Sequence, residues 1–341
     1  MKTILVYRFS AMGDVALVAP VIKSVLHQHP NTRLVFATRS FFLSFFNDHE
    51  RLIKVGVDLK QYKGALGIRK LFLELKKEHK PDLVIDLHDV LRTQILNTFF
   101  KSSGIPVYKI DKGRKEKKEM IASKNTSKPL KTSVERYLDT FEKAGFSTEL
   151  IKGPWISPKD DISDFLSFHN LFLKENKWVG IAPFAKHETK IWGLSKIEEL
   201  IVFLLEANYK IFLFGGGDGE LLKLNYLADK YEIINASKEL SFKQEMTLMQ
   251  QLDVMVTMDS SNMHTASLLG VNVVSIWGST HPSLGFPPIG NENNIIITSE
   301  RLDCQPCSVF GNKPCSRGDH ACMKLIEPLF VFKRINSQIS N

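Results

Sequence analysis

The sequence predicts an α/β protein built from two Rossmann-like halves, and three observations carry that prediction. Short apolar runs alternate with segments of helical spacing along most of the 341 residues. Two of those runs end in turns that mix hydroxyl and acidic residues, Ser10-Ala11-Met12-Gly13-Asp14 and Asp259-Ser260-Ser261-Asn262, the place where such sheets bind ligands. A Pro-rich stretch, Gly153-Pro154-Trp155-Ile156-Ser157-Pro158, separates two series of this alternation.

The first strand is expected at residues 4–7, because Arg8 and Asp14 interrupt the apolar run too early for a signal peptide. Residues 15–28 have helical spacing, and Pro20 inside them implies a kink or a late helix start. A strand follows at 33–37, and Phe41, Phe42, Phe45 and Phe46 read as helix core. Residues 66–80 are spaced as a helix, and 82–87 form a buried strand ending at His88 and Asp89. Residues 134–144 are a helix closed by Gly145. Beyond the linker, strands are expected at 178–183, 210–214, 254–258 and 273–277, with a helix at 196–207. The division expected is a first domain over 1–160, a second over 161–325, and a closing helix over 326–341 that packs back on the first.

Composition narrows the function. With 43% hydrophobic and 24% charged residues the chain can bury two cores, and no apolar stretch approaches the roughly 18 residues needed to span a bilayer. A cytoplasmic protein is expected, with any membrane contact peripheral. The net charge of +8 favours an anionic partner. Lys109, Lys112, Arg114, Lys115, Lys117, Lys118, Lys124, Lys128 and Lys131 crowd one segment with almost no aromatics, so base stacking and nucleic acid have little support. That segment reads as a solvated loop able to meet an anionic surface.

Four cysteines, Cys304, Cys307, Cys315 and Cys322, lie near the C-terminus. A C-x-x-C pair followed by two more could hold tetrahedral zinc, although the second pair is spaced more widely than in common zinc ribbons, and the alternative in a reducing compartment is packed free thiols. The run Gly215-Gly216-Gly217-Asp218-Gly219-Glu220 is not a dinucleotide fingerprint, since Glu220 occupies the third glycine position. No phosphate-binding G-x-x-x-x-G-K-[ST] loop and no G-x-S-x-G elbow occurs, which removes most support for P-loop and hydrolase chemistry.

Four segments together resemble glycosyltransferase family 9, the ADP-heptose:lipopolysaccharide heptosyltransferases. They are Ser10 to Val15 after the first strand, Lys186-His187-Glu188-Thr189-Lys190-Ile191-Trp192 after the first strand of the second half, Asp259 to Gly270, and the cysteine pattern ending at Met323. The resemblance implies a GT-B fold, two Rossmann-like domains facing across a cleft, and an inverting, metal-independent transfer without a cofactor. It places the general base on Asp14 and a catalytic cation on Lys190. It implies donor contacts from Gly13, Lys186, Trp192, Gly216, Glu220, Asp259, Ser260, Ser261 and His264. It implies acceptor contacts from Ser10, Arg92, Arg114 and Lys115. Ser261 and Asn262 depart from the family, which has a glycine at the former. The implied partners are an ADP-sugar donor, a lipid-linked lipopolysaccharide core acceptor and an anionic membrane surface.

These roles suit the chemistry, which needs a base for the attacking hydroxyl and a cation for the departing pyrophosphate. Taken singly, Asp14 is as good a helix cap, Lys190 a surface lysine and Trp192 a core aromatic. Family-like elements in the right order shift that balance. The rivals are a GT-B enzyme with another nucleotide, an epimerase, and a non-catalytic nucleotide- or lipid-binding member.

Overall fold

The computed structural model describes residues 1–299 and 302–340. The chain forms two compact units, residues 1–114 with 131–156, and residues 115–130 with 157–341. The Pro-rich linker expected at 153–158 therefore holds one of three crossings.

In the first unit β1 (Lys2–Tyr7), α1 (Met12–Ala16), α2 (Ala19–Gln28), β2 (Thr32–Thr38), β3 (Leu52–Gly56), α3 (Gly64–His79), β4 (Leu83–Asp86), α4 (Leu91–Ser102) and β5 (Val107–Lys109) follow in order. α5 (Arg114–Ser123) leads the 115–130 excursion, and α6 (Ser133–Lys143) returns to this unit. All five strands are parallel in the order β3-β2-β1-β4-β5. Ile4, Leu5, Val6 and Tyr7 are wholly buried because the central strand of a parallel sheet is covered on both faces, which is why the sequence shows a continuous apolar run. The helical stretch expected at 15–28 is broken in two: α1 begins earlier, at Met12, and ends at Ala16, and α2 starts at Ala19 with Pro20 in its first turn. The Phe-rich patch is a short 3₁₀ helix, with Phe42, Phe45 and Phe46 buried but Phe41 exposed.

The second unit comprises α7 (Ser163–Phe168), β6 (Trp178–Ala182), α8 (Leu194–Glu206), β7 (Lys210–Leu213), α9 (Asp218–Tyr231), β8 (Ile234–Asn235), α10 (Ala236–Glu239), α11 (Phe242–Met249), β9 (Val254–Met258), α12 (Ser261–Leu268), β10 (Asn272–Trp277), β11 (Ile295–Thr298), α13 (Ala321–Lys324) and α14 (Pro328–Ser340). Its six parallel strands run β11-β10-β9-β6-β7-β8. In chain order within the unit this is the 3-2-1-4-5-6 arrangement, whose direction reverses between β6 and β9.

Two expectations are corrected. α14 belongs to the second unit, where Val331 and Ile335 join the core beside Ile197 and Leu200 of α8. The basic segment expected as a loop is helical over α5, and its Lys117 is buried with the ammonium 4.3 Å from the Phe286 ring centre. A cation over an aromatic face can be buried at modest cost, a pairing that sequence spacing does not reveal. Among the described residues no helix is long and apolar enough to cross a membrane.

Candidate active site

Adjacent strands β1 and β4 feed the first cluster, with Tyr7 and Asp86 in register at their ends. One oxygen of the buried Asp86 accepts the backbone N–H groups of His88 (2.7 Å) and Asp89 (2.9 Å), and the other accepts the Asn97 amide (2.8 Å). The Tyr7 hydroxyl donates to the Asn97 carbonyl, and burial, then Asp86, pushes its pKa well up. Pairing both oxygens of the buried Asp86 carboxylate in this way fixes the turn after β4.

Arg8, 6% exposed, directs Asp14. Its guanidinium donates to the Leu87 carbonyl, reaches Asp14 Oδ2 at 2.7 Å and lies 5.5 Å from the Tyr137 ring centre. Burial works against the charge, but the Asp14 carboxylate, together with Tyr137 and Asp86, outweighs it and raises the Arg8 pKa. The Tyr137 hydroxyl donates to the Asp14 carbonyl (3.1 Å), and the Ala11 N–H reaches Asp14 Oδ2 at 3.4 Å. Asp14 thus serves the first turn of α1 and holds a buried cation with the same carboxylate.

Ser10 Oγ lies 3.1 Å from His88 Nε2, and burial, then Arg8 and Lys112, push the His88 pKa down to about 3, so the ring is neutral at ordinary pH. Asp89, at φ 42°, gathers cations: Lys109 (3.6 Å) and Arg114 (3.4 Å) meet its carboxylate, while Arg114 (3.0 Å) and Lys112 (3.3 Å) donate to its carbonyl. Burial, then Arg8 and Arg114, lowers the Lys112 pKa. Gly13 lies in α1 and Arg92 on the first turn of α4, partly exposed. Lys115 falls in the second unit, exposed and 4.0 Å from Glu119. Of the residues the sequence assigned to this site, Ser10, Asp14 and Arg114 lie in the cluster, beside Arg8, His88 and Lys112, which the sequence reading did not assign to it. The available signal was an arginine directly following an apolar strand.

The second cluster sits where the sheet order reverses, after β6 and β9. Lys190 Nζ is 3.1 Å from Asp259 Oδ2, with the two side chains 12% and 11% exposed, and the Thr280 hydroxyl donates to the same oxygen (2.7 Å). Ser260 precedes α12 in extended backbone without capping it, its Oγ 3.2 Å from Thr257 Oγ1, so the first-turn N–H groups are not claimed by a cap. Ser261 opens the helix with no positive φ, which removes the backbone objection to a residue other than glycine there. His264 is buried one turn into α12.

Other expected donor residues stand differently. Glu220 folds back to accept the Gly216 N–H (3.0 Å), closing the glycine turn, while Gly215 N–H donates to Ser237 Oγ (2.9 Å). Lys186 is exposed. Trp192 is corrected: it is 3% exposed, packed in the core, with its indole N–H donating to the Ile326 carbonyl (3.0 Å). It anchors the C-terminal segment, and almost all of its surface is spent on the core rather than offered to a ligand.

All four cysteines are free and line one small cavity that also touches Thr189 and Ser279. Among the described residues no three His, Cys, Asp or Glu side chains converge in an arrangement that could hold a metal ion. Burial pushes the Cys322 pKa up to about 11 and raises that of Cys307, as expected of packed thiols, whereas at Cys315 burial is outweighed by the backbone N–H groups of His320, Arg317 and Gly318 and the pKa is lowered.

Known proteins resemble this chain over its whole length. Lipooligosaccharide heptosyltransferase 2 of Campylobacter jejuni (serotype O:6, strain 81116) is 26% identical over 342 aligned residues, covering 95% of each chain. The crystal structure of a glycosyl transferase family 9 protein from Veillonella parvula matches with a TM-score of 0.79 at 17% identity, over 99% of this chain and 97% of that one. The ADP-heptose lps heptosyltransferase II of E. coli matches with a TM-score of 0.71 at 17% identity, over 100% and 99%. Their common GT-B fold is the α/β class predicted from the sequence. The model for glycosyltransferase family 9 (heptosyltransferase) matches residues 68–314, a span that takes in both Lys190 and Asp259, so the chain belongs to that family and is a glycosyltransferase.

Proposed function

We propose that the protein transfers heptose from ADP-heptose to a hydroxyl of the lipopolysaccharide inner core, with inversion and without a metal ion. The observation that carries this reading is the buried Lys190–Asp259 pair beside the start of α12, a fixed cation next to a helix N-terminus without a side-chain cap, suited to a pyrophosphate. The names of the C. jejuni and E. coli relatives support heptose as the sugar and ADP-heptose as its donor. In the step envisaged, the acceptor hydroxyl gives its proton to Asp14 while its oxygen bonds to the anomeric carbon. The bond from that carbon to the pyrophosphate oxygen breaks, and its electron pair leaves with ADP. Lys190 offsets the growing negative charge. Attack opposite the departing group inverts the anomeric centre. Ser10, with Lys112, Arg114 and Arg92, is proposed to meet the anionic acceptor.

A thermal-shift panel of ADP, UDP, GDP and their sugars tests the donor. A ligand at a hundred times its dissociation constant stabilises the fold by about 2.7 kcal/mol, so ADP and ADP-heptose should stand out. Stabilisation by UDP alone would move the reading to a transferase or epimerase with a uridine nucleotide.

The acceptor is lipid-linked, so we also propose that the 115–130 excursion meets an anionic membrane from the cytoplasmic side. Lys115, Lys118 and Lys128 are exposed there, whereas Lys117 is not. Each exposed lysine near such a surface contributes about 1 kcal/mol and is screened by salt. The protein should sediment with vesicles containing anionic lipid at low salt, and charge reversal at these three lysines should release it. Sedimentation indifferent to both salt and charge reversal would sink the idea.

A further inference from the structure

The turn at residues 305–311 grips the segment that leaves β10. On one side of that segment, Ser279 donates its N–H to the Thr189 carbonyl (3.2 Å) and its hydroxyl to Thr189 Oγ1 (2.8 Å). On the other, the Gln305 amide donates to the carbonyls of Gly278 (2.6 Å) and Thr280 (3.2 Å), and the Cys307 N–H donates to the Ser279 carbonyl (2.8 Å). The ring closes through the Thr189 hydroxyl, which donates to the Gly311 carbonyl (2.6 Å), and the Gly311 N–H, which donates to Ser308 Oγ (2.7 Å). Thr189, Ser279 and Ser308 are all buried, so these bonds are not exchanged with water.

Two consequences fall on the Lys190–Asp259 pair. Thr280, fixed from behind by Gln305, donates to Asp259. Gly311, in left-handed backbone at φ +80°, lies against the stem of Lys190, where a β-carbon would stand 2.7 Å from Cγ and 2.8 Å from Cδ. Lysine on an open surface samples many rotamers, and a stem walled in on that side loses most of them.

We propose that the 305–311 turn is a splint that holds Lys190 extended towards Asp259, with Gly311 acting as a positioning residue for that lysine. The consequence for donor binding rests on the function proposed above, whereas the placement of Lys190 does not. The placement also gives the cysteine loop a purpose without chemistry at sulfur, since Cys307 supplies a backbone bond to Ser279.

Gly318 provides the matched control. It lies in the same loop at φ +75°, with open space where its β-carbon would stand. Gly311→Ala and Gly318→Ala therefore impose similar backbone strain, and only the former collides with Lys190. Gly311→Ala should lower the unfolding midpoint more than Gly318→Ala, and most of the difference should disappear in a Lys190→Ala background, where the stem is gone and only the looser approach to Ser279 Oγ (3.3 Å) is left. In the same cycle Gly311→Ala should weaken ADP binding about tenfold or more in the wild type, but less than about threefold on top of Lys190→Ala, the non-additivity expected of residues acting through one contact. Gly318→Ala should leave ADP affinity near wild type. Equal effects of the two alanines on stability, or full additivity with Lys190→Ala, would overturn the splint. If wild-type protein binds no nucleotide, the donor reading fails, and the stability cycle alone still decides whether the turn holds Lys190.

Discussion

Asp14→Asn is expected to slow transfer roughly a hundred- to ten-thousand-fold, the usual cost of losing a general base. Asparagine keeps the size and the capping oxygen of aspartate while removing the proton acceptor and the charge. The structure adds a second effect, because Arg8 is 6% exposed and its ion pair with Asp14 is lost. A buried guanidinium left facing a neutral amide should destabilise the first unit by something on the order of 2 kcal/mol, so rates must be compared well below the unfolding midpoint of the variant. ADP affinity should change little, since Lys190, Asp259 and α12 belong to the other unit. Arg8→Lys is the companion measurement: it keeps a cation but loses the fork that spans Leu87 and Asp14, and should slow transfer less than Asp14→Asn does. Transfer by Asp14→Asn within about threefold of wild type corresponds to well under 1 kcal/mol of barrier and would reject Asp14 as the base.

What the sequence made legible followed from local pattern. Strands β1 and β9 are buried on both faces and so read as unbroken apolar runs, and each delivers its polar turn directly to the end of a sheet. That is why Asp14 and the Asp259-Ser260 turn could be named before any coordinates. Contacts between distant segments left no such pattern. Thr189 and Gly311 are 122 residues apart, and Lys117 and Phe286 meet only because the 115–130 excursion joins the second unit. Trp192 shows the opposite failure. A tryptophan within a family-like segment is read as a ligand contact, yet its indole ring and N–H are both spent on the core and on Ile326. Arg8 carried a signal that local reading undervalued, since a charge directly after a buried strand needs a partner, and the nearest acid in sequence was Asp14.

Lys190→Ala is expected to reduce transfer roughly a hundred- to thousand-fold, comparable with removing one preorganised donor from an oxyanion site. Part of that loss should appear as weaker ADP binding, and part as a lower rate at saturation, because the pyrophosphate gains charge as the sugar leaves. Truncation also strands Asp259, whose side chain is 11% exposed and, among the described residues, would keep the Thr280 hydroxyl but lose its cation, so some stability should be lost as well. Lys190→Met separates charge from packing: it keeps most of the stem against Gly311 and removes only the ammonium. If charge is what matters, methionine should be nearly as damaging to transfer as alanine while costing less stability. Arginine should restore activity only in part, since its planar fork differs from a point charge. The expected order of rates is therefore wild type, arginine, then methionine and alanine together. A methionine variant with wild-type turnover and ADP affinity would show that Lys190 serves only the packing of its own unit and would remove the cation from the proposed transfer step.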